Sequence, residues 1–212
     1  MTPRLLIIPA AAALAFALSA SAGETQTYSF SGFSELDVAA GIEVEYSPSS
    51  DYSVVADFQK GGPEDLKINQ SGERLSISRK TKAGWGDRLR VKVRVSGPAL
   101  NAIEASSGSS VDATGVNADA FALKVSSGAS VDVAGTCKNL VIKASSGGSA
   151  GARELKCQNV TAAASSGGSA DAFASQSATS KTSSGGSVDI WGSPSVRNAN
   201  KSISGGSTSY ND

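Results

Sequence analysis

The chain contains no histidine. That absence removes the usual general base near neutral pH and the commonest metal ligand. Ser-His-Asp and Cys-His nucleophilic machinery is excluded with it, despite abundant serine. Cysteine occurs only at Cys137 and Cys157. Nineteen Lys and Arg balance nineteen Asp and Glu, without the basic surplus that a nucleic-acid partner demands. After the first 22 residues no apolar stretch is long enough to span a membrane, and no run has helical periodicity.

What is present begins with "MTPRLLIIPAAAALAFALSASA". One early positive charge (Arg4), an apolar run from Leu5 to Leu18 and the small-residue triplet Ala20-Ser21-Ala22 follow the order of a secretory signal. Cleavage after Ala22 is expected, leaving an exported chain from Gly23, periplasmic or secreted. No cysteine stands at that point, so lipid attachment there is not expected.

A phrase then recurs: "SSGSSVDA" at 106, "SSGASVDV" at 126, "SSGGSAGA" at 145, "SSGGSADA" at 165, "SSGGSVDI" at 183 and a worn "ISGGSTSY" at 203. Its anchor glycines, Gly108, Gly128, Gly147, Gly167, Gly185 and Gly205, are 18 to 20 residues apart. That length suits one coil of a β-solenoid or a leucine-rich repeat. The copies carry almost no leucine, so the solenoid remains.

Fixed columns support it. Phe121, Leu123 and Val125 precede an anchor at the same offsets as Leu140, Ile142 and Ala144, and as Val160, Ala162 and Ala164. Val111 and Ala113, Val131 and Val133, Ala150 and Ala152, Ala170 and Ala172, and Val188 and Ile190 follow one. This is period-two alternation with one apolar face. A flexible Gly/Ser linker would have no such columns. Outward stand a basic column (Lys124, Lys143, Lys181, Lys201) and an acidic one (Asp112, Asp132, Asp171, Asp189). "SSGG" then reads as the corner of each coil, the glycine permitting the bend.

Cys137 and Cys157 share a column, which stacks them roughly 4.8 Å apart on neighbouring coils, within reach of a disulfide. Such bonds persist in an exported compartment; stacked free thiols are the alternative. Asn139 and Asn159 share another column, suited to a side-chain ladder. Residues 24–100 are more charged and less Ser/Gly-rich, with alternating runs such as "IEVEY" and "RLRVKVRV" between turn signals. The expected architecture is all-β: signal peptide 1–22, an N-terminal β region 23–100 that caps or begins the stack, and a parallel β-helix-like solenoid over 101–212, about 19–20 residues per coil. The front region is expected to cover the open N-terminal edge.

The segments "FSGFSELDVAAGIEVEYSPSSDYSVVAD", "LKINQSGERLSISRK" and "RVKVRVSGPALNAIEASSGSSV", followed by the S-G-S-x-D copies, resemble the bacterial DUF2807 family, called putative auto-transporter adhesin, head GIN domain. The likeness runs from about Tyr28 to Tyr210. It implies a parallel β-helix-like fold and an adhesin-like role, and it carries over no catalytic residue. No translocator barrel is recognisable after the repeats, so a soluble exported protein is expected rather than a self-translocating one.

Candidate chemistry is sparse. Like charges stacked along Asp112, Asp132, Asp171 and Asp189 repel, and Ca²⁺ is the one candidate cofactor that would offset them; solvated carboxylates partly neutralised by the Lys column are the alternative. The columns headed by Ser106 and by Ser110, the latter running through Ser130, Ser149, Ser169 and Ser187, form a hydroxyl strip suited to a glycan, or simply to a tight corner. Trp85 and Trp191 are candidate sugar-stacking residues. Arg153 beside Glu154 is the one Arg of the central coils, too little for a lyase or hydrolase site. The expected function is non-enzymatic binding or scaffolding at the cell envelope, with a surface glycan or an envelope protein as partner. The alternatives are a polysaccharide-active β-helix enzyme and a structural envelope-stress module that binds another protein. The sequence does not specify an oligomeric state.

Overall fold

The computed structural model describes residues 24–80, 89–201 and 204–211. The signal segment and Trp85 lie outside the described residues. Fifteen strands and no helix make up the described chain: β1 (Glu24–Tyr28), β2 (Glu35–Val38), β3 (Glu43–Pro48), β4 (Ser53–Lys60), β5 (Leu66–Ser71), β6 (Arg74–Arg79), β7 (Arg90–Gly97), β8 (Ala102–Ala105), β9 (Ser110–Val125), β10 (Ser130–Ala144), β11 (Ser149–Ala164), β12 (Ser169–Thr182), β13 (Ser187–Trp191), β14 (Val196–Lys201) and β15 (Ser207–Asn211). The stack is a β-solenoid of parallel coils.

Each long strand wraps around the coil. Along β9, alternation breaks twice, with consecutive exposed residues at Thr114-Gly115 and Asp119-Ala120. Because side chains alternate strictly in a straight strand, each break is a corner. A coil therefore has three faces. The Asp face runs through residues 110–113 and their partners. The Cys face runs through 116–118, and the Lys face through 121–125.

The third corner is the repeated phrase. Ser107 and Gly108 both have positive φ, 54° and 70°, and the Ser109 N–H donates to the Ser106 carbonyl at 3.3 Å. Two left-handed residues inside such a bond are what a type I′ turn requires. The same pair recurs at Ser127, Ser146, Ser166 and Ser184 with their glycines. So the serine before each anchor, and not the glycine alone, makes the bend. Successive turns are tied together: the Gly108 N–H donates to the Ser127 carbonyl, Gly128 to Ser146, Gly147 to Ser166 and Gly167 to Ser184, at 3.1–3.2 Å.

The same turn opens the stack earlier. Ala40 and Gly41 have φ of 64° and 71°, and the Gly41 N–H donates to the Ser107 carbonyl. β2, this turn and β3 are therefore a coil that pairs in parallel with β8 and β9. β6 and β7 extend both faces outward, parallel to β2 and β3, and antiparallel β5, β4 and β1 finish the edge. Hydrogen bonding is thus continuous across residue 100.

The apolar columns point inward, and they taper. Phe121, Leu140, Val160 and Ala178 succeed one another in register, as do Leu123, Ile142, Ala162 and Ser180. All are buried. Bulky residues collect at the front, where Phe33, Leu36, Ile42, Leu75 and Ile77 are almost wholly inaccessible. One column departs from its sequence offset. Asn200, not Lys201, stands beside Lys181, because β14 pairs one residue out of step and sets Lys201 beside Thr182.

Candidate functional site

Cys137 and Cys157 form a disulfide across adjacent coils, with Cα atoms 4.5 Å apart. Asn159 donates to the Asn139 side-chain carbonyl at 3.1 Å, and Ser177 extends that ladder by donating to Asn159 at 2.7 Å. On the Asp face, Ser110, Ser130, Ser149, Ser169, Ser187 and Ser207 are register neighbours in one outward column. Beside it runs Glu45, Asp112, Asp132, Gly151, Asp171 and Asp189.

The carboxylates lie along a line, at most one per coil. Among the described residues no three His, Cys, Asp or Glu side chains converge to hold a metal ion. The Asp132 carboxylate leans over Gly151, with Oδ1 2.1 Å from where a Cβ there would sit. Burial, then the charge of Asp132 and of Glu45 and Glu43, raises the Asp112 pKa above the usual aspartate range. Burial and Asp189 do the same for Asp171, against the lowering effect of Arg153. At the front end Lys92 compensates Glu43 and Glu45, 2.8 Å from each.

These shifts set a pH dependence. A carboxyl whose folded pKa is raised binds more protons folded than unfolded, so its charge opposes folding at neutral pH. That cost fades as pH falls through the raised folded value. The Asp171→Asn variant is expected to melt slightly higher than the parent at pH 7. The gap should close as pH approaches the ordinary aspartate range; melting curves from pH 7 to pH 4 check this, and a constant gap would contradict it.

At the corner between the Asp and Cys faces, register shifts between Ala152 and Lys156 on β11. Residues 153–155 have no counterpart in the next coil, where Ala172 and Phe173 follow directly. Arg153 and Lys156 reach instead across that shortened coil. The Arg153 guanidinium sits 3.5 Å from the Trp191 ring centroid, and Lys156 Nζ sits 4.5 Å from the Phe173 centroid. A cation over an aromatic face is attracted by the ring quadrupole. Lys156 also donates to the Arg153 carbonyl at 2.8 Å and lies 3.4 Å from Glu154. The result is a groove of about 350 Å³ lined by Asp112, Asp132, Asp171, Arg153, Glu154 and Trp191, among others. One ring face of Trp191 is occupied by Arg153, so that face is closed to a stacking sugar. The 18-residue spacing from Gly167 to Gly185 was the available signal for this site. It marks the coil that lacks the corner residues.

Residues 32–194 match the family model described as "Putative auto-transporter adhesin, head GIN domain". The chain belongs to the DUF2807 family. Three solved structures of low identity share its fold. A putative adhesin from Bacteroides fragilis is 19% identical, with a TM-score of 0.68, over 89% of this chain and 95% of that one. A putative adhesin from Parabacteroides merdae is 13% identical, TM-score 0.53, over 91% and 97%. A putative lipid binding protein from Parabacteroides distasonis is 16% identical, TM-score 0.50, over 91% and 97%. None of the curated protein sequences compared with the chain matches it. The groove of this DUF2807 protein is lined by residues of β9, β10, β11, β12 and β13. Among the described residues no helix is long and apolar enough to cross a membrane.

Proposed function

We propose that this DUF2807 protein is an exported, non-enzymatic binding module of the cell envelope, and that the groove around Arg153 and Trp191 holds a glycan. The observation that carries the reading is the Arg153–Trp191 stack set beside an uncovered row of carboxylates. Sugar hydroxyls donate well to ionised carboxylates, and the guanidinium offers several planar donors to an acidic or neutral sugar. The serine column continues that polar surface along the stack. An enzyme is disfavoured by geometry. A glycosidase sets two carboxylates on opposite sides of the bond to be broken, whereas the aspartates here share one wall and Glu154 is engaged with Lys156.

The test is a glycan and polysaccharide array with residues 23–212, in Ca²⁺ and in chelator, followed by mass spectrometry for cleaved products. Binding without cleavage is expected, and Arg153→Ala should weaken it by about tenfold, the equivalent of one charge-assisted hydrogen bond. Loss of binding in chelator would place Ca²⁺ between neighbouring aspartates. Cleaved products would replace this reading with the enzymatic one. No binding in either arm would leave an envelope protein as the partner.

A further inference from the structure

Two charge ladders climb the solenoid on different faces with the same gap. Coil by coil, the Asp face carries Asp112, Asp132, Gly151, Asp171 and Asp189. The Lys face carries Lys124, Lys143, Ala163, Lys181 and Asn200 in the same coils. The coil that lacks the acid also lacks the base. Within one molecule the ladders do not meet, because they point outward from faces separated by the Ser-Gly turn. Lys124 pairs with Glu104 of its own face. Among the described residues Lys143 and Lys181 have no ion pair, and Asp132 none either. Both are exposed.

The geometry points to a second copy of this chain as the partner: the Asp face of one molecule docks on the Lys face of another. Both ladders repeat at the spacing of stacked strands, about 4.8 Å, so three of the four aspartates meet a lysine at once and the fourth faces Asn200. The neutral coil faces the neutral coil whichever way the axes run. Flatness favours close approach. The column next to the aspartates is serine, and the one next to the lysines is Ala102, Ala122, Val141 and Thr161. Val141 is 42% exposed, one of two large apolar side chains left open among the described residues. Docked there, it would be covered by the serine column.

The Lys-face sheet is nine strands wide and the Asp-face sheet ten. At ~4.8 Å per strand and about four residues of ~3.3 Å along each face, contact buries roughly 550 Å² per copy. That is at the small end of specific interfaces, so the association is reversible and salt-sensitive. Because the two patches differ, it is heterologous, and copies add into a ring or a row rather than stopping at a two-fold dimer.

Sedimentation velocity of purified residues 23–212 across protein concentrations tests this without any glycan present. At 50 mM NaCl, species larger than the monomer should grow with concentration, and their apparent affinity should fall at least tenfold by 500 mM, as the Debye length shrinks. Lys143→Glu with Lys181→Glu should abolish association, and so should Asp132→Lys with Asp171→Lys. The variant carrying all four reversals should associate again, because its faces are complementary in the opposite sense. Circular dichroism confirms that each variant is folded. A monomer at every concentration in low salt would overturn the proposal, as would failure of a folded fourfold variant to associate. The lysine pair lies outside the groove, so a loss there is separable from any loss of glycan binding.

Discussion

Removing the Cys137–Cys157 disulfide is expected to lower the melting midpoint by about 10 °C. The bond closes a segment with a sequence separation of 20 residues. Loop-closure entropy for that length is worth about 3 kcal/mol, and a chain of this size loses ~2–4 °C per kcal/mol. The location adds to the effect. The Cys face is the narrowest of the three, with paired segments only at residues 116–118, 135–137, 155–157 and 173–174. Both cysteines point inward and are buried, between Ala118 and Ala174. Without the bond, that wall is held by few strand hydrogen bonds and by small side chains. In a solenoid each coil is supported only by its neighbours, so loosening should stay local. The measurement is a melting curve of the Cys137→Ala/Cys157→Ala variant, with the reduced parent as a second form, and hydrogen exchange to locate the change. Lost protection should centre on residues 135–140 and 155–160. An unchanged midpoint in both forms would show that the staple is redundant.

How much of this was legible beforehand depended on whether the information was local. The outward and inward columns could be read directly, because apolar residues such as Phe121, Leu140 and Val160 keep a fixed distance from a recognisable anchor. The coil formed by β2 and β3 could not. Its turn is Ala39-Ala40-Gly41, which has the required backbone but none of the serines that marked the others. The interleaving of β7 between β3 and β4 is a long-range pairing with no local sign. Lys201 was misplaced because offsets counted from Gly205 assume an unaltered coil, and β14 pairs one residue out of step. The Arg153–Trp191 stack depends on residues two coils apart and on a corner that one coil lacks. Each residue is unremarkable alone, and only the register brings them together.

The corner itself yields the other large effect, because neighbouring glycines in it are constrained for different reasons. Gly185 has φ +73°, and a Cβ there would meet nothing within 4 Å. Gly185→Ala should therefore cost about 1 kcal/mol, the strain of a left-handed alanine. The serine at Ser184 already bears the same strain with φ 48°. Gly186 is the opposite case. A Cβ there would lie 2.3 Å from the Ala164 carbonyl oxygen and 2.4 Å from its carbon. Both are backbone atoms of the preceding coil, so no side chain can swing aside. The two coils must separate at that corner, weakening the bond by which the Ser187 N–H donates to the Gly168 carbonyl. Overpacking of this kind costs about 2–3 kcal/mol. The equivalent positions one and two turns earlier are Gly168 and Gly148, three turns earlier it is buried Ala129, and the first is buried Ser109. The corner thus admits a Cβ in the wide front coils, and closes to glycine where the interior narrows to alanine. Denaturant melts of Gly185→Ala and Gly186→Ala should rank in that order, with the second at least twice as destabilising. Equal losses would mean that strain at the turn, and not contact between coils, dictates the second glycine. A third variant, Ala129→Gly, separates the effects further. It relieves no clash, so it should lose a little stability through backbone entropy, whereas a corner limited by crowding throughout would gain.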